Sequence, residues 1–140
     1  MQELRTIETF KLGDAAEFGK TISESDIYGF AGLTGDFNPA HVNEQYASQT
    51  PFKTRIAHGM LGAGLISAVL GMRLPGPGTI YLSQELKFLK PVRIGDTITA
   101  RVEVAEVLSE KNRLKLRTTC VNQDGDVVID GYALVMPPKA

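Results

Sequence analysis

Residues 32–41 read G-L-T-G-D-F-N-P-A-H and residues 57–72 read A-H-G-M-L-G-A-G-L-I-S-A-V-L-G-M. These two segments hold both histidines of the 140-residue chain, His41 and His58, and an acid five residues before the first, Asp36. They also hold its most apolar helix candidate, 57–72. In that candidate Met60, Leu61, Leu65, Ile66, Val69 and Leu70 fall on every side, which predicts a helix enclosed by other elements. Small residues at Gly59, Ala63, Ser67 and Gly71 recur every four, so one stripe lets a sheet or a ligand approach the backbone closely. The four glycines of the segment cost up to about 1 kcal/mol each relative to alanine, which packing or function has to offset.

Working outward from this helix, the chain upstream is punctuated by caps. A short strand is expected at 19–22. Ser23 with Asp26 then forms a capping box ahead of a helix over 24–33. Thr34-Gly35 stops that helix, since Gly35 can take the left-handed conformation, and Asp36 is the first residue past the stop. Asn38-Pro39 restarts a helical turn with Asn38 as cap and Pro39 at the first position, so His41 falls in that turn. Asn43 can cap another short helix over 44–48, and 49–56 is an irregular polar connection.

Downstream of L-P-G-P-G (74–78) the period changes to two. Ile80, Leu82, Leu86 and Phe88 alternate with polar residues, interrupted on that face only by Gln84. Two half-buried strands follow around 98–104 and 114–120, joined at 109–112. Asp124-Gly125 signals a hairpin, and 127–136 is a last strand ended by Pro137-Pro138. A helix followed by four strands, with a short strand near the start, places the chain in the α+β class: a mainly antiparallel sheet wrapped on one central helix. Residues 1–140 are expected to form a single domain, the 43% hydrophobic content being enough for one core.

Composition narrows the function classes. Fifteen basic and 16 acidic residues give a net charge of −1, with no footprint for nucleic acid and no polybasic membrane patch. Residues 1–10 lack the apolar run of a secretory signal, and 60–72 falls short of the ~20 residues that span a bilayer. A soluble cytoplasmic protein acting on a small molecule is the expectation. The one cysteine, Cys120, excludes an internal disulfide and a cysteine-based metal site, and its place in a strand pattern makes it a core residue.

Chemistry concentrates in G-D-x-N-P-x-H (35–41). An acid and an imidazole stand on successive turns around a rigid proline and can point at a common spot. Position near a helix start should keep His41 neutral and available as an acceptor. His58-Gly59 opens the central helix, whose free N–H groups can hold an oxyanion. His58 itself reads at least as well as a helix-end packing or hydrogen-bonding residue as it does as a catalytic one. Asn38 either caps its turn or orients the pair.

Taken together, F-A-G-L-T-G-D-F-N-P-A-H (30–41), A-H-G-M-L (57–61), I-Y-L-S-Q-E-L-K-F-L-K-P-V (80–92) and G-D (95–96) closely resemble the (R)-specific enoyl-CoA hydratases of the MaoC-like family. The resemblance implies a hot-dog fold, with a curved antiparallel sheet around a long helix, and a homodimer joined edge to edge through its sheets. It implies reversible addition of water to trans-2-enoyl-CoA, giving (R)-3-hydroxyacyl-CoA. It also implies a link between fatty acid β-oxidation and uses of that product such as polyhydroxyalkanoate synthesis. The family's catalytic pair maps onto Asp36 and His41, and its oxyanion-binding amide onto Gly59. Neither a metal nor a cofactor is implied, coenzyme A being part of the substrate. For the acyl chain, the small stripe suggests a pocket formed by Met60, Ala63, Ser67 and Leu70, with Val135 of the last strand as a further candidate. Lys87, Lys90 and Arg93 are candidates for the CoA phosphates. Other readings compatible with these residues are a dehydratase of another acyl thioester, a hot-dog acyl-CoA thioesterase and a non-catalytic acyl-CoA-binding module.

Overall fold

Along the strand Thr97–Leu108 the side chains of Ile98, Ala100, Val102 and Val104 are buried, and along Arg113–Val121 those of Leu114, Leu116, Thr118 and Cys120. This period-two pattern gives each strand one face to hide, and the central helix hides it. The computed structural model describes residues 3–140. In chain order it contains β1 (Ala15–Thr21), α1 (Glu24–Thr34), α2 (Pro39–Val42), α3 (Glu44–Ala47), α4 (Gly59–Met72), β2 (Ile80–Phe88), β3 (Thr97–Leu108), β4 (Arg113–Val121) and β5 (Val127–Met136). The five strands form one sheet in the order β1-β3-β4-β5-β2, with every neighbouring pair antiparallel. α4 lies across β3, flanked by β1 and β4, which is the expected hot-dog arrangement. Among the described residues no helix is long and apolar enough to cross a membrane.

α4 buries Gly62, Ile66, Val69 and Leu70 on the sheet. Gly62 makes the close approach, since a Cβ there would stand 2.4 Å from Ile129 Cδ1. The expectation that α4 is enclosed all round is corrected by its other side. Met60 is 59% and Met72 68% exposed, and Gly64, Ser67 and Ala68 are open as well. The reason is architectural: a single sheet covers one face of the helix, and among the described residues no second layer covers the opposite one.

Among the described strands β2 lies at the edge of the sheet and pairs with β5 alone. Ile80, Tyr81, Leu82 and Phe88 are exposed on it. Because α4 is seated over the β1-β3-β4 half of the sheet, a trough remains between α4 and β2. β1 begins four residues earlier than the sequence pattern indicates, at Ala15 rather than Gly19. Ala16 and Phe18 alternate onto the core, but Ala15, Glu17 and Gly19 between them carry little strand signal. Cys120 is fully buried, with its Sγ–H directed at the Gly62 carbonyl at 3.7 Å, and burial pushes its thiol up to about 12.

Candidate active site

The backbone delivers Asp36 and His41 through a chain of caps. Ser23 and Asp26 form the capping box of α1, and the helix ends at Thr34 because Gly35 adopts φ 83°, its N–H donating to the Ala31 carbonyl at 2.8 Å. The Thr34 hydroxyl accepts from the Asp36 N–H at 3.2 Å. The Asp36 carboxylate in turn accepts from the Asn38 N–H at 3.2 Å, and the Asn38 side chain accepts from the Ala40 N–H at 3.1 Å to cap α2. Asn38 therefore caps with its side chain and holds the carboxylate with its main chain. His41, half-buried in α2, donates its Nδ1–H to the Ile56 carbonyl at 2.7 Å. A carbonyl can only accept, so this bond fixes the tautomer and leaves the Nε2 lone pair free.

His58 ends the irregular connection as the N-cap of α4 and is only 3% exposed. Its Nε2–H donates to the backbone carbonyl of Asp36 at 2.9 Å. Its ring stacks on that of His41, with centroids 3.9 Å apart and planes 31° apart, and meets Phe30 at 4.6 Å on its other contact. The Nδ1 atom is buried without a protein partner, an arrangement that costs about 1–3 kcal/mol. A carboxylate oxygen of Asp36 and one ring nitrogen of each histidine all lie within 4.8 Å of one another. One nitrogen of each ring is committed to a carbonyl. The separation suits one water, which spans two groups with hydrogen bonds of about 2.8 Å each.

Gly59 is the first residue of α4, where N–H groups have no partner within the helix and the dipole is positive. Two cavities meet there. The larger, 850 Å³, lies in the trough between α4 and β2 and reaches Asp36, Ala63, Ser67, Tyr81 and Gln84. The other, 510 Å³, runs toward the core past Leu61, Leu65, Val92, Ile98 and Ile129, with Lys90 also on its wall. His41, His58, Gly59, Met60 and Phe88 line both.

Of the residues expected around an acyl chain, Met60, Ala63 and Ser67 do line the large cavity. Leu70 and Val135 do not: they are 1% and 0% exposed, members of the core behind the wall. Three residues of helix turn through about 300°, which carries Leu70 roughly 60° from Ser67 toward Ile66 and the sheet. Arg93 is committed to the Phe52 carbonyl at 2.6 Å and Lys90 to Asp126 at 3.2 Å.

Phe88, Tyr81 and Gln84 are wall residues that no sequence motif assigned. Phe88 rests on Gly59, where a Cβ would stand 2.7 Å from its Cε1. Gln84 did leave a trace, as the polar break in an apolar strand face. Its amide donates at 2.9 Å to the hydroxyl of the fully buried Thr118, and the Tyr81 hydroxyl donates to its carbonyl oxygen.

Residues 10–125 match the family model described as "MaoC like domain". An (R)-specific enoyl-CoA hydratase of Rhodospirillum rubrum is 63% identical over 135 residues, covering 96% of this chain and 93% of the relative. A 3-hydroxybutyryl-CoA dehydratase of Methylorubrum extorquens is 54% identical over 99% of this chain and 89% of its own length. Among solved structures, an (R)-hydratase from Aeromonas caviae involved in PHA biosynthesis superposes with a TM-score of 0.91. It is 40% identical and covers 94% of this chain and 99% of that one.

Proposed function

This chain belongs to the MaoC-like family, and we propose that it adds water reversibly to trans-2-enoyl-CoA to give (R)-3-hydroxyacyl-CoA. The observation that carries this reading is the meeting of an acid and an imidazole, Asp36 and His41, within 4.8 Å of each other and beside the first amide of α4. The names of the relatives, hydratase in one case and dehydratase in the other, support the two directions of one equilibrium.

Hydration requires a hydroxyl at C3, a proton at C2 and stabilisation of the enolate-like thioester oxygen. One water held between Asp36 and His41 supplies both parts. His41 Nε2, the lone pair left free by the bond to Ile56, accepts a proton as the water oxygen attacks C3, and the imidazolium returns that proton to C2. The second proton stays on the new hydroxyl, hydrogen-bonded to the Asp36 carboxylate. The Gly59 N–H receives the thioester oxygen as charge develops. Coenzyme A enters as part of the substrate, and no step calls for a cofactor. Use of the product in PHA synthesis follows the role given for the Aeromonas relative, and supply of the enoyl-CoA from fatty acid β-oxidation belongs to the same proposal.

The test is addition of crotonyl-CoA to the purified protein with enoyl-thioester absorbance and free thiol followed together. Loss of absorbance without thiol release, with (R)-3-hydroxybutyryl-CoA as product, is the expected result. Thiol release would make it a thioesterase, and binding with neither change would make it a carrier of acyl-CoA.

A further inference from the structure

We propose that His58 is the positioning residue of this site, locking the acid, the base and the oxyanion amide into one rigid unit. The inference rests on the hydratase reading and adds a component to it. Three contacts converge on this one side chain, and its main chain supplies a fourth link. Its Nε2–H is bonded to the Asp36 carbonyl at 2.9 Å, so it holds the peptide from which the carboxylate projects. Its ring is the platform on which His41 stacks at 3.9 Å, and Phe30 of α1 braces that platform at 4.6 Å. Its own main chain caps α4, so the next amide is that of Gly59.

Chemistry separates His58 from His41. The His41 ring keeps a free nitrogen beside the Asp36 carboxylate, whereas His58 is 3% exposed and spends its one N–H on a carbonyl. Its remaining nitrogen, Nδ1, is buried and has no protein donor. An aliphatic or phenyl side chain would fill the same space without that unsatisfied atom. What the imidazole adds, and what they lack, is the N–H on Asp36. The histidine is therefore kept for that bond, and the bond matters because a reacting group displaced by about 1 Å loses roughly 10²-fold in rate.

The experiment uses the full-length protein and two substitutions. His58→Phe keeps an aromatic ring between Phe30 and His41 but removes the N–H. Its kcat on crotonyl-CoA should fall about 10- to 100-fold with KM changed less than about threefold, the pattern of lost alignment rather than lost binding. His58→Gln keeps an amide N–H that can reach the carbonyl, and it should recover kcat to within about tenfold of the wild type. In an Asp36→Asn background, His58→Phe should cost less than about threefold more, because the phenyl ring still supports His41 and the carboxylate that the lost N–H held is gone. Independently of activity, long-range proton–nitrogen spectra of the labelled wild-type protein should show His58 neutral, with its proton on Nε2 and Nδ1 bare. Wild-type kcat in His58→Phe, or equal losses in Phe and Gln variants that track a falling Tm, would overturn the proposal. So would a proton on Nδ1. Should His58→Phe not fold, the Gln variant and the tautomer decide. A wild-type protein with no hydratase activity would defeat the hydratase reading alone, and the tautomer would still stand as a separate result.

Discussion

Asp36 precedes one proline-started turn and His41 sits within it, and in the proposed mechanism one shared water makes their contributions inseparable. Asp36→Asn and His41→Ala should each lower kcat by about 10²- to 10⁴-fold, with the far-ultraviolet dichroism unchanged. The double variant should be little slower than either single one, and multiplied losses would show that the two act on different atoms. This pair was legible in the sequence because the turn that presents it is built from short-range signals: the left-handed Gly35, the Asn38 cap and the Pro39 start. The tautomer of His41 was not, since it is set by a carbonyl fifteen residues away. Phe88 was hidden for a similar reason. Nothing local to β2 says that its last ring will rest on Gly59; the β2–β5 register and the seat of α4 decide it.

α4 shows both the reach and the limit of periodicity. The stripe Gly59, Ala63, Ser67 does face a cavity, but hydrophobicity all round implies enclosure, and the outer side of the helix is open in the single chain. A helix wheel counts apolar residues without knowing what will cover them. Leu70 lies just behind the wall that Ser67 forms, and its truncation acts on two levels. Leu70→Ala should lower stability by about 2–5 kcal/mol, as for buried leucines generally. It should also let the cavity deepen behind Ser67, raising kcat/KM for longer enoyl-CoAs relative to crotonyl-CoA. Each methylene newly buried is worth about 0.8 kcal/mol. A melting curve and a C4 to C10 specificity profile on the same variant check both parts. Destabilisation with an unchanged profile would mean that Leu70 serves the core alone.

At the scale of the molecule, apolar surface is left open where two features meet: the edge strand β2, with Ile80, Leu82 and Phe88, and the outer side of α4, with Met60 and Met72. An unpaired, apolar edge calls for a partner, and we propose that a second copy pairs there, joining the sheets edge to edge. Sedimentation should find a dimer at micromolar concentration, and adding a charge at Leu82 should yield monomers with reduced activity; a fully active wild-type monomer would refute the pairing. The strand order has a consequence for the making of the protein as well. Among the described strands β2 has no neighbour but β5, which follows the other four in the chain. On the ribosome, the loop of Asp36 and His41 and α4 emerge early, yet the wall that faces them gains its sheet neighbour only when residues 127–136 arrive. The site therefore closes only after the β4–β5 hairpin, and a chain stalled at Gly125 carries Asp36, His41 and Gly59 with no completed chamber around them.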